Sequence, residues 1–250
     1  MDAKSPSRSP LTVLIVAFLL AMLGGCEQPS RLEQIRDEGV LRVVTRNTPT
    51  TYYQDRHGDT GLEYELAKRF AESLGVRLEI TTTPTLDALY SLLGTPDGPH
   101  IAAAGLTINP EREGQVRFAK PYLETTPQVV YRRGNRQPRD ITDLYGKRIM
   151  VIKGSTLANQ LRQLQQEHPD LVFEESDNVE VVDLLRLVND NEIDHALVYS
   201  NELVVNQAFY PAVHVGFDLD SPRPMAWVLP EEDDDTLLVE VEAFFEKIKI

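Results

Sequence analysis

Cysteine and histidine are scarce in this chain of 250 residues, which has one of the former and five of the latter. A lone cysteine, Cys26, leaves no partner for a disulfide within the chain. The few histidines are scattered, and no zinc-ligand spacing, P-loop or GxGxxG motif occurs. The sequence therefore predicts neither a metal site nor a bound cofactor.

Basic residues are in the minority, with 25 Lys and Arg against 39 Asp and Glu and a formal net charge of −14. Nucleic-acid binding needs a face rich in Lys and Arg that neutralises phosphates. The acidic balance therefore argues against a nucleic-acid partner. A GxSxG nucleophile motif is also missing, so we expect no catalytic residues in this chain.

Long apolar runs are confined to the N-terminus, where Lys4 and Arg8 precede the run Leu11–Leu23. That run is shorter than the roughly 20 residues of a membrane-spanning helix and has the length of a signal-peptide core. It ends in Gly-Gly-Cys, which resembles the lipobox of bacterial lipoproteins. The resemblance implies a signal peptide over residues 1–25 and lipidation of Cys26.

Acyl chains on that cysteine would hold the protein on a membrane without spanning it. The next residue is Glu27 rather than the Asp that favours the inner membrane in such signals, so we expect the periplasmic face of the outer membrane. Residues 26–30 would form a tether. The alternative is an ordinary signal peptide followed by a buried structural cysteine.

Beyond the tether, short β-rich runs alternate with amphipathic helical segments. Such alternation predicts an α/β fold with mainly parallel sheets and right-handed crossovers. Two extended segments that contain prolines, Phe118–Pro127 and Pro222–Pro224, indicate crossings between two hinged lobes. We predict that residues 31–126 and 221–250 form the first lobe and residues 127–220 the second, with a cleft between them.

A polar junction follows the apolar strand predicted over Ile101–Leu106. Asn109 suits a helix N-cap and Pro110 a first helical residue, so a helix should begin where the strand ends. Ligands of open α/β sheets bind at such junctions, and the Thr107 hydroxyl with the planar Arg112 guanidinium suits a carboxylate. A capped surface helix whose arginine pairs with a nearby acid is an equally good interpretation of these residues.

Three further features have two interpretations each. Tyr52 and Tyr53 lie on a turn-rich loop and could stack on a ligand or act as a packing lid. Ser155 and Thr156 follow a strand and open a helix, where a plain helix cap is the alternative to a ligand site. The acidic run Glu231–Asp235 precedes the last helix, and we favour a macrodipole interaction over a metal site.

Gly61–Ala67, with the sequence GLEYELA, resembles the signature of family 3 periplasmic solute-binding proteins. The resemblance implies that Thr107 and Arg112 hold a ligand α-carboxylate, that Tyr52 or Tyr53 stacks on the ligand, and that hydroxyls of the second lobe close over it. The family's ammonium-binding acid is replaced here by Tyr199, counting from Asp194. The implied ligand-binding set is Tyr52, Tyr53, Gly105, Thr107, Arg112, Ser155, Thr156 and Tyr199.

The lipobox, the segment from GVLRVV to ESLG, and the motifs KRIMVIKGS, EVVDLL and SNEL together resemble a second group. They are similar to the solute-binding-like N-terminal half of membrane-bound lytic murein transglycosylases. The catalytic Glu-Ser motif of that group, with its following aromatic and proline, is missing here, so we expect a fragment, a truncated gene product or a degraded paralogue.

The resemblances together imply a lipid-anchored module that binds an amino acid or a peptidoglycan-derived peptide. In a longer parent it would regulate peptidoglycan cleavage. The alternative is an amino-acid-binding protein of an ABC uptake transporter.

Overall fold

The computed structural model describes residues 29–248, so the predicted signal peptide and Cys26 lie outside the described residues. Seven helices occur in this part of the chain: α1 Arg31–Glu38, α2 Leu62–Leu74, α3 Leu86–Leu93, α4 Thr156–Glu167, α5 Val181–Asn189, α6 Ser200–Asn206 and α7 Thr236–Lys247. The strands are β1 Val40–Thr45, β2 Tyr53–Asp55, β3 Gly58–Thr60, β4 Arg77–Thr82, β5 Ile101–Ala102, β6 Val116–Phe118, β7 Leu123–Thr125, β8 Pro127–Arg132, β9 Ile149–Ile152, β10 Glu174–Ser176, β11 His195–Tyr199, β12 Val213–Asp218, β13 Arg223–Met225 and β14 Val228–Pro230.

Two five-stranded sheets form the centres of two lobes. The first has the order β4-β1-β5-β14-β6 and the second the order β10-β9-β11-β8-β12. In the first sheet β1 runs parallel to β4 and β5, while β14 runs antiparallel to β5 and β6. In the second, β9 runs parallel to β10 and β11, while β8 runs antiparallel to β11 and β12. The predicted two-lobed α/β fold is confirmed, although each sheet is mixed rather than mainly parallel.

The chain passes between the sheets twice. Strands β7 and β13 lie at these passages and pair antiparallel with each other, with Arg223 opposite Thr125. The two predicted crossings are therefore joined side by side as a two-stranded ribbon. The first sheet takes strands from residues 40–118 and 228–230 and the second from residues 127–218; the lobe boundaries at residues 126 and 220 stay a prediction.

Apolar periodicity explains how the helices cover the sheets. In α2 the side chains of Leu66, Phe70 and Leu74 are buried at intervals of four residues, as on one face of an α-helix. The helix ends at Gly75, which has φ +73° and the left-handed conformation of a C-terminal cap.

One apolar cluster joins the two lobes. Leu86 and Leu89 of α3 belong to the same buried cluster as Ile152, Val181 and Leu184 of the second lobe. The lobes are therefore packed against each other.

The predicted helix after Asn109 is wrong in its length. Asn109 does act as a cap, because its side chain accepts a hydrogen bond from Glu111 N, but the segment that follows is a single 3₁₀ turn, Pro110–Arg112. Gly114, with φ +77°, turns the chain away, and β6 begins two residues later. So short a turn has no appreciable macrodipole with which to attract an anion.

Candidate functional site

The GLEYELA segment has a structural role beneath the cleft. A Cβ atom on Gly61 would lie 2.2 Å from the Thr51 carbonyl oxygen, and its φ of +121° also favours glycine. The buried Glu63 carboxylate accepts hydrogen bonds from Gly105 N at 2.8 Å, from Trp227 Nε1 at 2.8 Å and from the Tyr122 hydroxyl. Burial raises the pKa of Glu63, and these three hydrogen bonds oppose the shift.

Through Gly105, this network fixes the segment that carries Thr107. Leu106 O accepts a hydrogen bond from Ala226 N at 3.0 Å, and Ile108 N donates one to Pro224 O at 3.0 Å. Thr107 itself forms an isolated β-bridge with Met225. The segment therefore pairs with the β13 crossing and the residue after it rather than continuing β5, which ends at Ala102 instead of the predicted Leu106.

Three hydroxyl groups from both lobes meet at Thr107. Its Oγ1 lies 2.5 Å from Thr156 Oγ1 and 2.9 Å from the Tyr199 hydroxyl, and the latter two groups are 2.6 Å apart. Burial raises the pKa of Tyr199, so the phenol stays protonated at neutral pH. These contacts connect the first lobe directly to α4 and β11 of the second.

The hydroxyl of Ser155 has a different role from that of Thr156. Ser155 Oγ accepts a hydrogen bond from Ala158 N at 3.1 Å and donates one to Ile152 O at 2.6 Å. Ser155 is thus the N-cap of α4, while the neighbouring Thr156 hydroxyl faces the other lobe.

A charged cluster lies beside the hydroxyl groups. Arg46 follows β1 directly, is 7% exposed and forms an ion pair with Glu180 across the two lobes. Its Nε is buried and has no hydrogen-bond partner within the described part of the chain. Burial lowers the pKa of Arg46, and the nearby Glu202 carboxylate opposes the shift. Glu202 accepts a hydrogen bond from Tyr199 N at 3.2 Å.

Sequence reasoning missed this cluster. Arg46 stands at the carboxyl end of a central strand, which is where ligands of such sheets bind, and that position was the available signal. Glu202 lies one helical turn after Tyr199, at the start of α6. A second-lobe carboxylate therefore faces the cleft although position 199 holds a tyrosine.

The hydroxyl groups and the charged cluster enclose one cavity. Its volume is about 40 Å³, so little space remains between these groups. Its lining includes Arg46, Tyr90, Thr107, Thr156, Tyr199 and Glu202. Burial raises the pKa of Tyr90 to about 12, so its hydroxyl group stays protonated and uncharged at neutral pH.

The structure brings together five of the residues predicted for the site. Gly105, Thr107, Ser155, Thr156 and Tyr199 all line the cavity.

Tyr52 and Tyr53 are not part of the cavity lining. The Tyr52 hydroxyl donates to Asp59 Oδ1 at 3.0 Å, and the Tyr53 side chain is 36% exposed in β2. Tyr90 of α3 is the aromatic residue that the fold places at the cavity.

Arg112 also lies outside the cavity lining. Its guanidinium carbon is 3.7 Å from the centre of the Tyr90 ring, a cation–π contact, and one of its nitrogens is 3.2 Å from Asp87 Oδ1. The arginine therefore contacts the outer side of a residue that lines the cavity.

The acidic run before α7 is engaged by basic and backbone groups. Glu232 pairs with Arg31 at 2.7 Å, Asp235 pairs with Arg117 at 2.5 Å, and Asp234 accepts from Thr236 N at 2.7 Å. Among residues 29–248, no group of three or more His, Cys, Asp and Glu side chains is placed to hold a metal ion. Within the same range, every helix is too short or too polar to cross a membrane.

Two packed lobes with a polar cleft at their junction define a solute-binding fold, and the chain belongs to the bacterial extracellular solute-binding proteins, family 3, whose model matches residues 41–249. Among curated proteins it is similar to membrane-bound lytic murein transglycosylase F of Pseudomonas fluorescens strain Pf-5, with 54% identity over 237 residues. It is also 54% identical over 239 residues to the protein of the same name from Ectopseudomonas mendocina. Each alignment covers 94% of this chain and 49% of the relative, so the chain spans about half the length of these relatives.

Solved structures of amino-acid-binding proteins share the fold. An ancestral amino acid-binding protein, described as a precursor of cyclohexadienyl dehydratase, superposes with a TM-score of 0.76 at 25% identity, covering 88% of this chain and 94% of that one. The arginine-bound form of a truncated arginine-binding protein from T. maritima gives 0.74 at 25% identity, with 86% and 98% covered. The family predicted from the GLEYELA segment is confirmed.

Proposed function

We propose that this chain is a lipid-anchored periplasmic module that binds a small amino acid or a peptidoglycan-derived peptide between its lobes. The observation that supports this most directly is the cavity in which Thr107, Thr156 and Tyr199 meet beside Arg46 and Glu202. Hydroxyl donors, a cation and a carboxylate together suit a ligand that carries both a carboxylate and an ammonium group.

In this proposal the ligand carboxylate takes the Thr107 hydroxyl and the buried Nε–H of Arg46. A buried donor without a partner costs about 1–3 kcal/mol, so an acceptor supplied by a ligand would recover that energy. Glu202 would face the ammonium group. It would take the role of the family's ammonium-binding acid, whose position in this chain holds Tyr199.

The carboxylate role inferred for Arg112 requires this residue to leave Asp87 and its cation–π contact with the Tyr90 ring. The side chain of Asp87 is 63% exposed, and exposed ion pairs contribute at most about 1 kcal/mol. Exchanging Asp87 for a ligand would therefore cost little. Arg112 thus remains part of the proposed site.

Ligand binding would be coupled to lobe closure. The contacts of Thr107 with Thr156 and Tyr199, and of Arg46 with Glu180, join groups from opposite lobes and form in the closed arrangement. A ligand that binds the closed lobes better than the open ones shifts the population toward closure.

In a longer parent, anchored through Cys26 at the outer membrane, closure would regulate a separate catalytic domain. That domain would cleave peptidoglycan without hydrolysis to leave a 1,6-anhydro product, while this chain supplies the sensor. The curated relatives, which are about twice as long, support this proposal.

The second candidate is an amino-acid-binding protein for an ABC uptake transporter. The solved neighbours favour it, since they bind amino acids. Ligand preference separates the two functions, because uptake requires binding of free amino acids whereas wall sensing requires binding of a murein peptide.

Calorimetric titration of the full chain in detergent, with free amino acids and with murein tetrapeptide, tests the proposal. We expect saturable binding that falls about tenfold in Thr107→Val, or about 1.4 kcal/mol, because a hydroxyl partner of the carboxylate is lost. Arg112→Ala should also weaken it. Arg186→Ala, which alters an exposed ion-paired arginine of α5, is the matched control. Wild-type protein that binds neither ligand class would overturn the proposal.

A further inference from the structure

A second recess lies in the second lobe, at the end of its sheet away from the cleft. Its volume is about 350 Å³, and His195, the first residue of β11, is part of its wall. Tyr199, the last residue of the same strand, lines the cavity, and four residues of strand span about 13 Å. Among the described residues, none lines both spaces. The recess is therefore separate from the cleft.

A basic loop forms one side of this recess. The segment Arg132–Arg139 contains four arginines and no acidic residue, in a chain with a formal net charge of −14. Asn135 Nδ2 donates a hydrogen bond to Asn191 Oδ1 at 2.8 Å, and Gln137 Nε2 donates one to Gly216 O at 3.0 Å. These bonds tie the loop to neighbouring segments of the second lobe. The loop is therefore a fixed wall of the recess.

Both carboxylates of the recess already have cationic partners. Asp194 Oδ1 lies 3.0 Å from Arg148 Nη2, and hydrogen bonding to Arg148 holds the pKa of Asp194 below its usual value. Asp143 pairs with Arg136 at 3.1 Å. Neither carboxylate pairs with Lys147, an exposed residue of the recess, within the described part of the chain. The charge of Lys147 is therefore available to an anion.

Two uncharged side chains add unused hydrogen-bonding groups. Asn191, which has φ +63°, accepts a hydrogen bond through Oδ1, so its Nδ2 keeps two N–H groups for a ligand. His195 is only 4% exposed, and its Nδ1 has no hydrogen-bond partner within residues 29–248. Burial lowers the pKa of His195, so its imidazole is neutral at neutral pH and has one N–H to donate. A ligand that completes these hydrogen bonds would stabilise the folded chain.

We propose that this recess binds a phosphate group, either as the free ion or as a phosphate ester. Lys147, Asn191 and His195 come from three separate segments of the chain and line the same space. Donors that approach from several directions suit the tetrahedral oxygens of phosphate better than the coplanar oxygens of a carboxylate.

Arg136 adds a further donor. Its side chain is 88% exposed, so it can turn from Asp143 to the phosphate at little cost. The recess is larger than a phosphate ion, which leaves room for the organic part of an ester. This inference does not depend on the proposed function, because the cleft takes no part in it.

NMR signals of the histidine imidazoles test the proposal on the full chain in an uncharged detergent, at constant pH and ionic strength. During titration with inorganic phosphate, the His195 signal, assigned with the variant His195→Gln, should shift saturably at millimolar phosphate. The signals of His57 and His168, which are not part of the recess, should stay in place. Lys147→Ala should weaken binding about five- to tenfold, and Lys147→Arg, which keeps the charge, should restore most of it.

Two control variants locate the binding. Lys68→Ala, at an exposed lysine of α2, should leave phosphate binding unchanged. Thr107→Val, which alters the cleft, should also leave it unchanged. Thermal melts confirm that each variant is folded.

Titrations with acetate and with a soluble short-chain phosphatidylglycerol complete the test. Acetate should bind at least about fivefold more weakly than phosphate. Equal affinity would overturn the assignment to phosphate. Tighter binding of the phosphatidylglycerol than of inorganic phosphate would support a lipid headgroup as the source, and the reverse order would support the free ion.

The remaining outcomes separate this site from the cleft. An unmoved His195 signal in the wild-type chain would overturn the site. Binding that falls in Thr107→Val but not in Lys147→Ala would also overturn it, since the phosphate would then lie in the cleft. A wild-type chain that binds phosphate but no amino acid or peptide would contradict the proposed function and support this site.

Discussion

Glu63 in the first lobe and Glu202 at the cleft both have carboxylates directed into the protein, but their surroundings differ. Glu63 accepts three hydrogen bonds, all from neutral donors, and no cation is among its partners. Glu202 accepts one backbone hydrogen bond and lies near Arg46, whose Nε has no partner in the described residues. The first arrangement is complete without a ligand. The second retains hydrogen-bonding capacity for a ligand, as the role proposed for Glu202 requires.

Removing the Glu63 carboxylate should have the largest effect. Glu63→Ala leaves the donors of Gly105, Tyr122 and Trp227 buried without an acceptor, at about 1–3 kcal/mol for each. We expect the free energy of unfolding to fall by about 4 kcal/mol in urea titrations. Glu72→Ala, an exposed position on the same helix, is the control and should stay within about 0.5 kcal/mol. Equal stability of the two variants would mean that the network contributes little.

Lowering the pH should destabilise the first lobe, because unfolding lets the buried His100 take up a proton. Burial and the neighbouring Arg42 lower the pKa of this histidine from 6.5 to about 4. The unfolded chain therefore binds the proton more readily, and stability is fully present above pH 6.5 and lost as pH falls toward 4. The loss should reach at most about 3 kcal/mol. His100→Gln should flatten this part of the stability profile, measured by urea unfolding from pH 7 to 4. An unchanged slope would assign the acid sensitivity to other groups.

Neutralising the cleft carboxylate should affect binding rather than folding. Glu202→Gln keeps the side-chain size, so we expect unfolding stability to change by less than about 1 kcal/mol. Affinity for a ligand with an ammonium group should fall about tenfold, or about 1.4 kcal/mol, by calorimetry. Glu192→Gln, at an exposed acid of the same lobe, should leave affinity unchanged. Undiminished binding by Glu202→Gln would place the ammonium group elsewhere.

Local signals in the sequence predicted the local features well. The alternation of strands and amphipathic helices predicted the α/β lobes. The two segments that contain prolines predicted the crossings that form the β7–β13 ribbon. Ser155 caps a helix, which is one of the two roles that its position suggested. Thr107, Thr156 and Tyr199 were all predicted for the site, and they meet in the cavity.

The features that sequence reasoning missed depend on contacts between distant segments. Arg46, Glu180 and Glu202 come from three separate segments of the chain, and no spacing rule joins them. The position of the Arg112 side chain depends on its contact with the Tyr90 ring of α3. The length of the turn Pro110–Arg112 depends on Gly114, whose left-handed conformation redirects the chain. Such outcomes are set by tertiary packing, which overrides local preference.

The pairing of Thr107 with the crossing strand gives the site a mechanical property. Ile108 N donates a hydrogen bond to Pro224 O and Thr107 forms a β-bridge with Met225, so the Thr107 hydroxyl is carried on a segment bonded directly to the ribbon between the lobes. In the closure proposed above, the ribbon would be the hinge about which the lobes rotate. A small displacement near Thr107 would then become larger with distance along the second lobe, and the outer loops farthest from the ribbon would move most.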